Sequence, residues 1–250
     1  MIELKHLSYA YQRGESNEIK AVSDVGLEIK QGEFIILLGA NGSGKTSLLN
    51  LVAGTLKPQE GEIIADGDDI TLLKEHKRCK WIARLFQNPL QGTAPDLSIL
   101  ENFRLASLRS RRKGLTIGTR EKFRRLVMEH VGQLGLGLES KLDQPVGSLS
   151  GGQRQAMTLS MAVMDDAKIL LMDEPTAALD PKTSEIFMNL ASRIIKERKL
   201  SCLFITHQLK DALKYGGRVI QMDQGRIIRD IQGDKKQKLS LQELFVWFGQ

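Results

Sequence analysis

Phe34-Ile-Ile-Leu-Leu-Gly-Ala-Asn-Gly-Ser-Gly-Lys-Thr46 is the stretch on which the fold of this chain turns. Its first five residues, Phe34 to Leu38, have the length and apolar content of a buried strand. The next eight, Gly39, Ala40, Asn41, Gly42, Ser43, Gly44, Lys45 and Thr46, fit the spacing G-x-x-x-x-G-K-[ST], and Thr46 to Ala53 reads as a helix. Glycines at these places let successive backbone N–H groups turn toward a polyphosphate at the positive end of the helix. Lys45 has the reach for β- and γ-phosphates, and the Thr46 hydroxyl suits Mg²⁺. The bland alternative is a Gly-rich connection with no ligand, and the strand before and helix after it argue against that. A dinucleotide fingerprint fails, because Gly42-Ser43-Gly44 would need a third glycine at Ser47.

Working outward, short apolar runs alternate with helical patterns, which predicts βαβ units around a largely parallel sheet. Lys168 to Met172 reads as a strand, Asp180-Pro181 as an N-cap and first turn of a helix to about Glu197, and Leu203 to Thr206 as a strand before a helix at Leu209 to Tyr215. Arg218 to Met222 and Arg226 to Ile228 flank a turn at Asp223-Gln-Gly225. Ser240 and Glu243 have capping-box spacing before a short helix containing Phe245, Trp247 and Phe248. From about 88 to 164 strand signals vanish, and helical patterns appear at Leu97 to Leu108, Thr119 to Val131 and Arg154 to Met164. This predicts one domain over 1–250, with a core at about 1–87 and 165–250 and a helical insertion at about 88–164.

Composition agrees with a folded globular chain: 250 residues, 41% hydrophobic and 26% charged. A net charge of +6 permits an acidic partner without requiring one. With two cysteines, Cys79 and Cys202, a disulfide framework is not expected and a reducing compartment is. No run approaches the ~20 apolar residues of a membrane span, and Met1 to His6 lacks a signal-peptide core. Work at a membrane would then go through a partner. The basic run Arg109 to Lys113 reads as a solvated face, with anionic lipid as the alternative. Nucleic acid is not expected, since no aromatic residues interleave with that run. Asp234 to Lys238 reads as an exposed linker, and His6, His76 and His130 as surface residues.

Three more segments carry chemistry. Ile169 to Met172 runs into Asp173-Glu174, so both acids emerge at the carboxyl end of a strand, where open α/β sheets bind ligands. Asp173 suits Mg²⁺, and Glu174 suits accepting a proton from water attacking a γ-phosphate. A helix cap is the rival for the acidic pair alone. Leu149-Ser150-Gly151-Gly152-Gln153 opens a helical run with exposed N–H groups and a positive dipole end. His207 follows a buried strand, which aims it at the same sheet edge.

Together these segments resemble the nucleotide-binding subunits of ABC transporters, in that family's order and over nearly the whole chain. Gly39 to Thr46 is similar to its Walker A, Ile169 to Glu174 to its Walker B and Leu149 to Gln153 to its signature. Gln87 in Leu85-Phe-Gln-Asn-Pro89 matches the Q-loop, Ala178-Leu-Asp180 the D-loop and His207 the switch histidine. Tyr11 matches the residue that stacks on adenine, with Tyr9 as its rival. The resemblance implies a P-loop NTPase of ABC-ATPase fold, α/β, with a mainly parallel core, an antiparallel β subdomain and the helical insertion.

It also implies ATP and Mg²⁺. Thr46, Gln87 and Asp173 would lie at the metal, and Lys45, Gln87, Glu174 and His207 would serve the reaction. Two subunits, identical or not, would pair head-to-tail. Ser150, Gly151, Gly152, Gln153 and Asp180 would then reach the nucleotide held by residues 39–47 of the other chain. Integral membrane permease subunits would hold the pair at the cytoplasmic face of the membrane. Gly92-Thr-Ala-Pro95, Leu134 to Glu139 and Ala177 to Thr183 look like a branch of bacterial importers that work with an extracytoplasmic binding protein, often for aromatic amino acids. The alternatives are a soluble ABC ATPase, such as one of iron–sulfur cluster assembly, and a nucleotide-binding module that does not hydrolyse.

Overall fold

The computed structural model describes residues 1–109 and 121–247. Its strands are β1 (Ile2–Tyr11), β2 (Ile19–Ile29), β3 (Phe34–Leu38), β4 (Glu60–Ala65), β5 (Asp68–Asp69), β6 (Ile82–Leu85), β7 (Ile169–Asp173), β8 (Ser201–Ile205), β9 (Arg218–Asp223) and β10 (Arg226–Gln232). Its α-helices are α1 (Lys45–Ala53), α2 (Glu75–Arg78), α3 (Ile99–Ser107), α4 (Glu121–Gly132), α5 (Gly151–Ala162), α6 (Pro181–Glu197), α7 (Leu209–Lys214), α8 (Asp234–Gln237) and α9 (Leu241–Trp247). One sheet is antiparallel, in the order β2-β1-β4-β5; the other runs β10-β9-β3-β8-β7-β6 and is parallel except for the β9–β10 hairpin. Between 88 and 164 the described residues form helices and a single isolated bridge, Ser98 to Pro145.

The parallel strands are buried on both faces, as crossover helices require. Side chains alternate between two apolar clusters. Ile35 and Leu37 of β3, Ile169 and Leu171 of β7 and Leu203 and Ile205 of β8 join α1 and the antiparallel sheet. Ile36 and Leu38, Leu170 and Met172, and Cys202 and Phe204 join α6 and helices α3 to α5. Fully burying an Ile or Leu is worth roughly 1.5–3 kcal/mol. A one-residue slip would send each of these side chains into the wrong cluster, so the register is fixed.

Helix α1, which follows the Gly39 to Gly44 loop, is also held at its far end. The fully buried Arg78 donates to the Leu51 and Val52 carbonyls at 2.7 Å each, and to Leu73 and Thr71 at 2.9 and 2.7 Å. It satisfies carbonyls that a helix C-terminus leaves open. Burial pushes its pKa down to about 10. Gly54 makes room, since a Cβ there would stand 2.6 Å from the Arg78 Nε.

Several expectations need correction. Helix α5 starts at Gly151, three residues before Arg154, because Ser150 caps it. Asp234 to Lys238 is not an open linker: it forms α8, and buried Lys236 donates to the Leu213 carbonyl at 2.8 Å. His130 is half-buried, 6.4 Å from the Phe103 ring, and burial lowers its pKa. His6 and His76 are exposed. Of the basic run, Arg109 donates to the Met161 carbonyl at 2.6 Å, and the rest lies outside the described residues, as do Thr119 and Phe248.

Candidate functional site: a nucleotide cradle at the carboxyl edge of the sheet

The loop from Gly39 to Gly44 joins the end of β3 to α1. Gly44, the residue before α1, has φ +100°, and a Cβ on it would stand 2.0 Å from the Ala21 carbonyl oxygen, so only glycine fits there. No side chain caps α1 and its first turn holds no acid. Its leading N–H groups therefore have no side-chain acceptor, the condition for an anion site.

Lys45 is buried and folded into its own loop. Its ammonium donates to the Gly39 and Ala40 carbonyls at 2.8 and 2.9 Å and lies 3.4 Å from Ser43 Oγ. Burial lowers its pKa, against the pull of Glu174 and Asp173. The Tyr11 hydroxyl lies 3.2 Å from Ser47 Oγ, and the Tyr9 ring meets Tyr11 edge-on at 5.0 Å. Of the two, Tyr11 therefore borders the loop helix, while Tyr9 packs behind it against the antiparallel-sheet cluster.

The acids stand beside this loop. Thr46 Oγ1 lies 3.4 Å from Asp173 Oδ1 at the end of β7. Burial raises the Asp173 pKa, and the Arg84 guanidinium is the first charge to oppose it. Glu174 leaves the strand with φ +46°, a conformation that non-glycine residues seldom adopt and that clusters at functional sites. Its N–H donates to the Ile205 carbonyl at 3.1 Å, and its carboxylate pairs with His207 Nε2. The two residues that the sequence placed at separate strand ends thus meet. Register sets Leu85 beside Met172, so exposed Gln87 leaves the same edge two residues past β6.

The start of α5 is built differently. Ser150 Oγ accepts from Gln153 N at 3.3 Å, and Gln153 Oε1 accepts from Ser150 N at 3.2 Å, a reciprocal cap. Leu149 is buried, while Ser150 and Gly151 are exposed. Arg154 pins the lead-in by donating to Gly147 and Leu149 carbonyls at 3.1 and 2.9 Å. The turn before α6 lies alongside: a Cβ on Gly151 would stand 3.4 Å from Leu179 Cδ2, and one on Gly152 2.4 Å from Thr183 Cγ2. Asp180 caps α6 by accepting from Thr183 N at 3.0 Å.

A family model described as ABC transporter matches residues 22–177. The chain belongs to this family. A tyrosine transport ATP-binding protein of Clostridioides difficile (strain R20291) is 38% identical over 251 residues, covering 99% of this chain and 98% of the relative. The phosphonates import ATP-binding protein PhnC of Treponema denticola is 32% identical, covering 92% and 89%. Among solved structures, the dimeric ATP-binding cassette MJ0796 bound to ADP and Pi superposes with a TM-score of 0.79 at 31% identity, over 93% of this chain and 98% of that one. CbiO1 of Clostridium perfringens, part of the complex cbiONQ, gives 0.80 at 26%, over 99% and 94%. This ABC protein is therefore an ATP-binding, ATP-hydrolysing subunit with the ABC-ATPase fold.

The donor set of this ABC ATPase fits Mg²⁺. A hydroxyl and one carboxylate, Thr46 and Asp173, are hard oxygen ligands, and Mg²⁺ usually takes one or two carboxylates plus substrate phosphates. Among the described residues no cluster of three His, Cys, Asp or Glu forms a self-sufficient metal cage. One participant escaped the sequence reading. Arg84 donates to Asn50 Oδ1 at 2.7 Å and Thr55 Oγ1 at 3.1 Å, bracing α1 from β6 beside Asp173. The available signal was a cation inside the apolar run Ile82-Ala-Arg-Leu85.

Proposed function

We propose that this ATPase drives an importer, and that two ATPase subunits close head-to-tail on ATP. Lys45 and the leading amides of α1 hold the β- and γ-phosphates, and Tyr11 stacks on adenine. Ser150 and the Gly151 and Gly152 amides of the other subunit approach the γ-phosphate from the opposite side. Thr46, Asp173 and Gln87 would hold Mg²⁺, which when bound neutralises charge on the phosphates. Glu174 takes the proton of the attacking water as its oxygen bonds to the γ-phosphorus. The bond from that phosphorus to the β–γ bridging oxygen breaks, leaving ADP and phosphate. His207 holds the Glu174 carboxylate in place.

The observation that carries this reading is the exposed start of α5. Ser150 and Gly151 are open to solvent while Leu149 is buried, and α5 itself packs on α3, α4, α6 and β6. A lone subunit would leave the γ-phosphate half solvated, and a second helix terminus supplies the missing stabilisation of developing charge.

A groove of about 760 Å³ between β6 and the helical layer, bordered by Arg84, Phe86, Gln91, Leu105 and Thr158, is the seat proposed for a permease segment. It adjoins the Gln87 loop, which links docking to chemistry. No described helix is long and apolar enough to cross a membrane, which suits a peripheral subunit held by such a permease. The transport relatives argue against the soluble alternative, and the Clostridioides relative supports an amino acid as cargo; an extracytoplasmic binding protein that delivers it is part of the same proposal.

Glu174→Gln tests the closure. With ATP the variant should elute from a sizing column as a dimer and release no phosphate. A variant that binds ATP and still elutes as a monomer would overturn head-to-tail closure.

A further inference from the structure

The C-terminal helix α9 is fixed more firmly than a trailing segment needs. Ser240 and Glu243 form a reciprocal cap, with Ser240 N donating to Glu243 Oε2 at 2.7 Å and Glu243 N to Ser240 Oγ at 3.2 Å. Leu244 is fully buried. Gln221 Nε2 donates to the Trp247 carbonyl at 2.9 Å, and the Arg229 guanidinium lies 5.2 Å from the Trp247 ring. Lys236, just upstream, ties this segment to α7, the helix that follows His207.

With Leu244 turned inward, the i,i+4 pair Leu241 and Phe245 takes another face. Together with Gly39, Ala40, Asn41 and His207 it lines a cleft of about 690 Å³. Phe245 is 40% exposed there. A large apolar ring thus forms a wall of the space that also holds the phosphate loop and the catalytic histidine.

The other half of the contact lies elsewhere on the same chain. Ala177 and Ala178 are exposed and Leu179 is half-buried, and Leu179 lies against the start of α5. A copy that brings Ser150 to Gly152 onto a neighbour's γ-phosphate brings this small apolar turn with it. The cleft is lined by Gly39 to Asn41 of the nucleotide loop, so such closure would also cover it.

We propose that α9 belongs to the closure interface, with Leu241 and Phe245 of one subunit seating the Ala177–Leu179 turn of a second copy of this chain. The inference rests on the head-to-tail reading above and adds a wall to the shared site that the nucleotide motifs do not supply.

Glu174→Gln provides the background for the test. Adding Phe245→Glu should raise the ATP concentration for half-maximal dimer at least tenfold, and adding Val246→Glu, on the outward side, should not change it. A labelling arm separates contact from distortion. Phe245→Cys should react with a maleimide at least tenfold more slowly in the ATP-closed Glu174→Gln dimer than in an ATP-loaded Ser150→Arg monomer. Equal labelling rates, or an unshifted ATP dependence for Phe245→Glu, would overturn the role of α9 while leaving closure intact. A Glu174→Gln parent that stays monomeric would fail earlier and take both ideas with it.

Discussion

Lys45 makes its hydrogen bonds to the carbonyls of its own loop, so the ammonium is already buried inside the loop proposed to hold the phosphates. Lys45→Ala removes a charge-assisted donor worth about 1.5–3 kcal/mol. ATP binding measured by calorimetry should weaken about 10- to 100-fold. Unchanged turnover would show that the loop is not the cradle. The Glu174–His207 pair makes a second claim at this scale. His207→Ala should lower phosphate release about 100-fold, within the usual span for losing acid–base assistance, with little change in ATP affinity. Lys45, Thr46, Asp173, Glu174 and His207 were legible because each ends or follows a buried strand at a spacing chemistry recognises. Arg84, Arg78 and His130 were not, since their partners come from distant parts of the chain and no local pattern marks a buried cation or imidazole.

Helix starts govern the next scale. Gly44 leaves α1 without a side-chain cap, whereas Ser150 caps α5 with Gln153. On the proposed reading the first is open to phosphate from its own subunit and the second offers a preformed surface to another molecule. Ser150→Arg places a bulky cation on that surface. The variant should bind ATP as a monomer with normal affinity, while phosphate release falls to background; normal turnover would refute a role across the dimer. Most elements could be read from periodicity, including β3, β7, β8, α6 and the β9–β10 hairpin. The start of α5 was misplaced because glycines score poorly as helix formers, and the Ser150–Gln153 box outweighs them here. The Asp234 to Lys238 stretch looked solvated because lysine usually is, yet Lys236 buries its stem to reach a helix C-terminus.

At the scale of the whole molecule, the phosphate loop, Asp173, Glu174, Gln87 and His207 gather at one sheet edge because β3, β6, β7 and β8 are parallel. The alternation of apolar runs and helices announced such a sheet. It did not announce that β3 would lie between β8 and β9, a neighbourhood set by contacts well over a hundred residues apart. Chelation tests the gathered site as a unit. With EDTA in excess of Mg²⁺, turnover should cease, and Lys45 together with the α1 amides should still retain labelled nucleotide on a filter. Persistent turnover in EDTA would remove Thr46 and Asp173 from the role proposed for them.

The parallel sheet is a partition one strand thick. Met172 leans into the helical layer and Leu171 into the layer beneath α1, and the next residue along the same strand is Asp173. The packing of the helical layer and the carboxylate proposed to hold Mg²⁺ are therefore separated by a single peptide link, that between Met172 and Asp173. On the reading proposed above, a substitution that loosens the packing of Met172 against the helical layer, such as Met172→Ala, should displace Asp173 and lower phosphate release before it unfolds the protein.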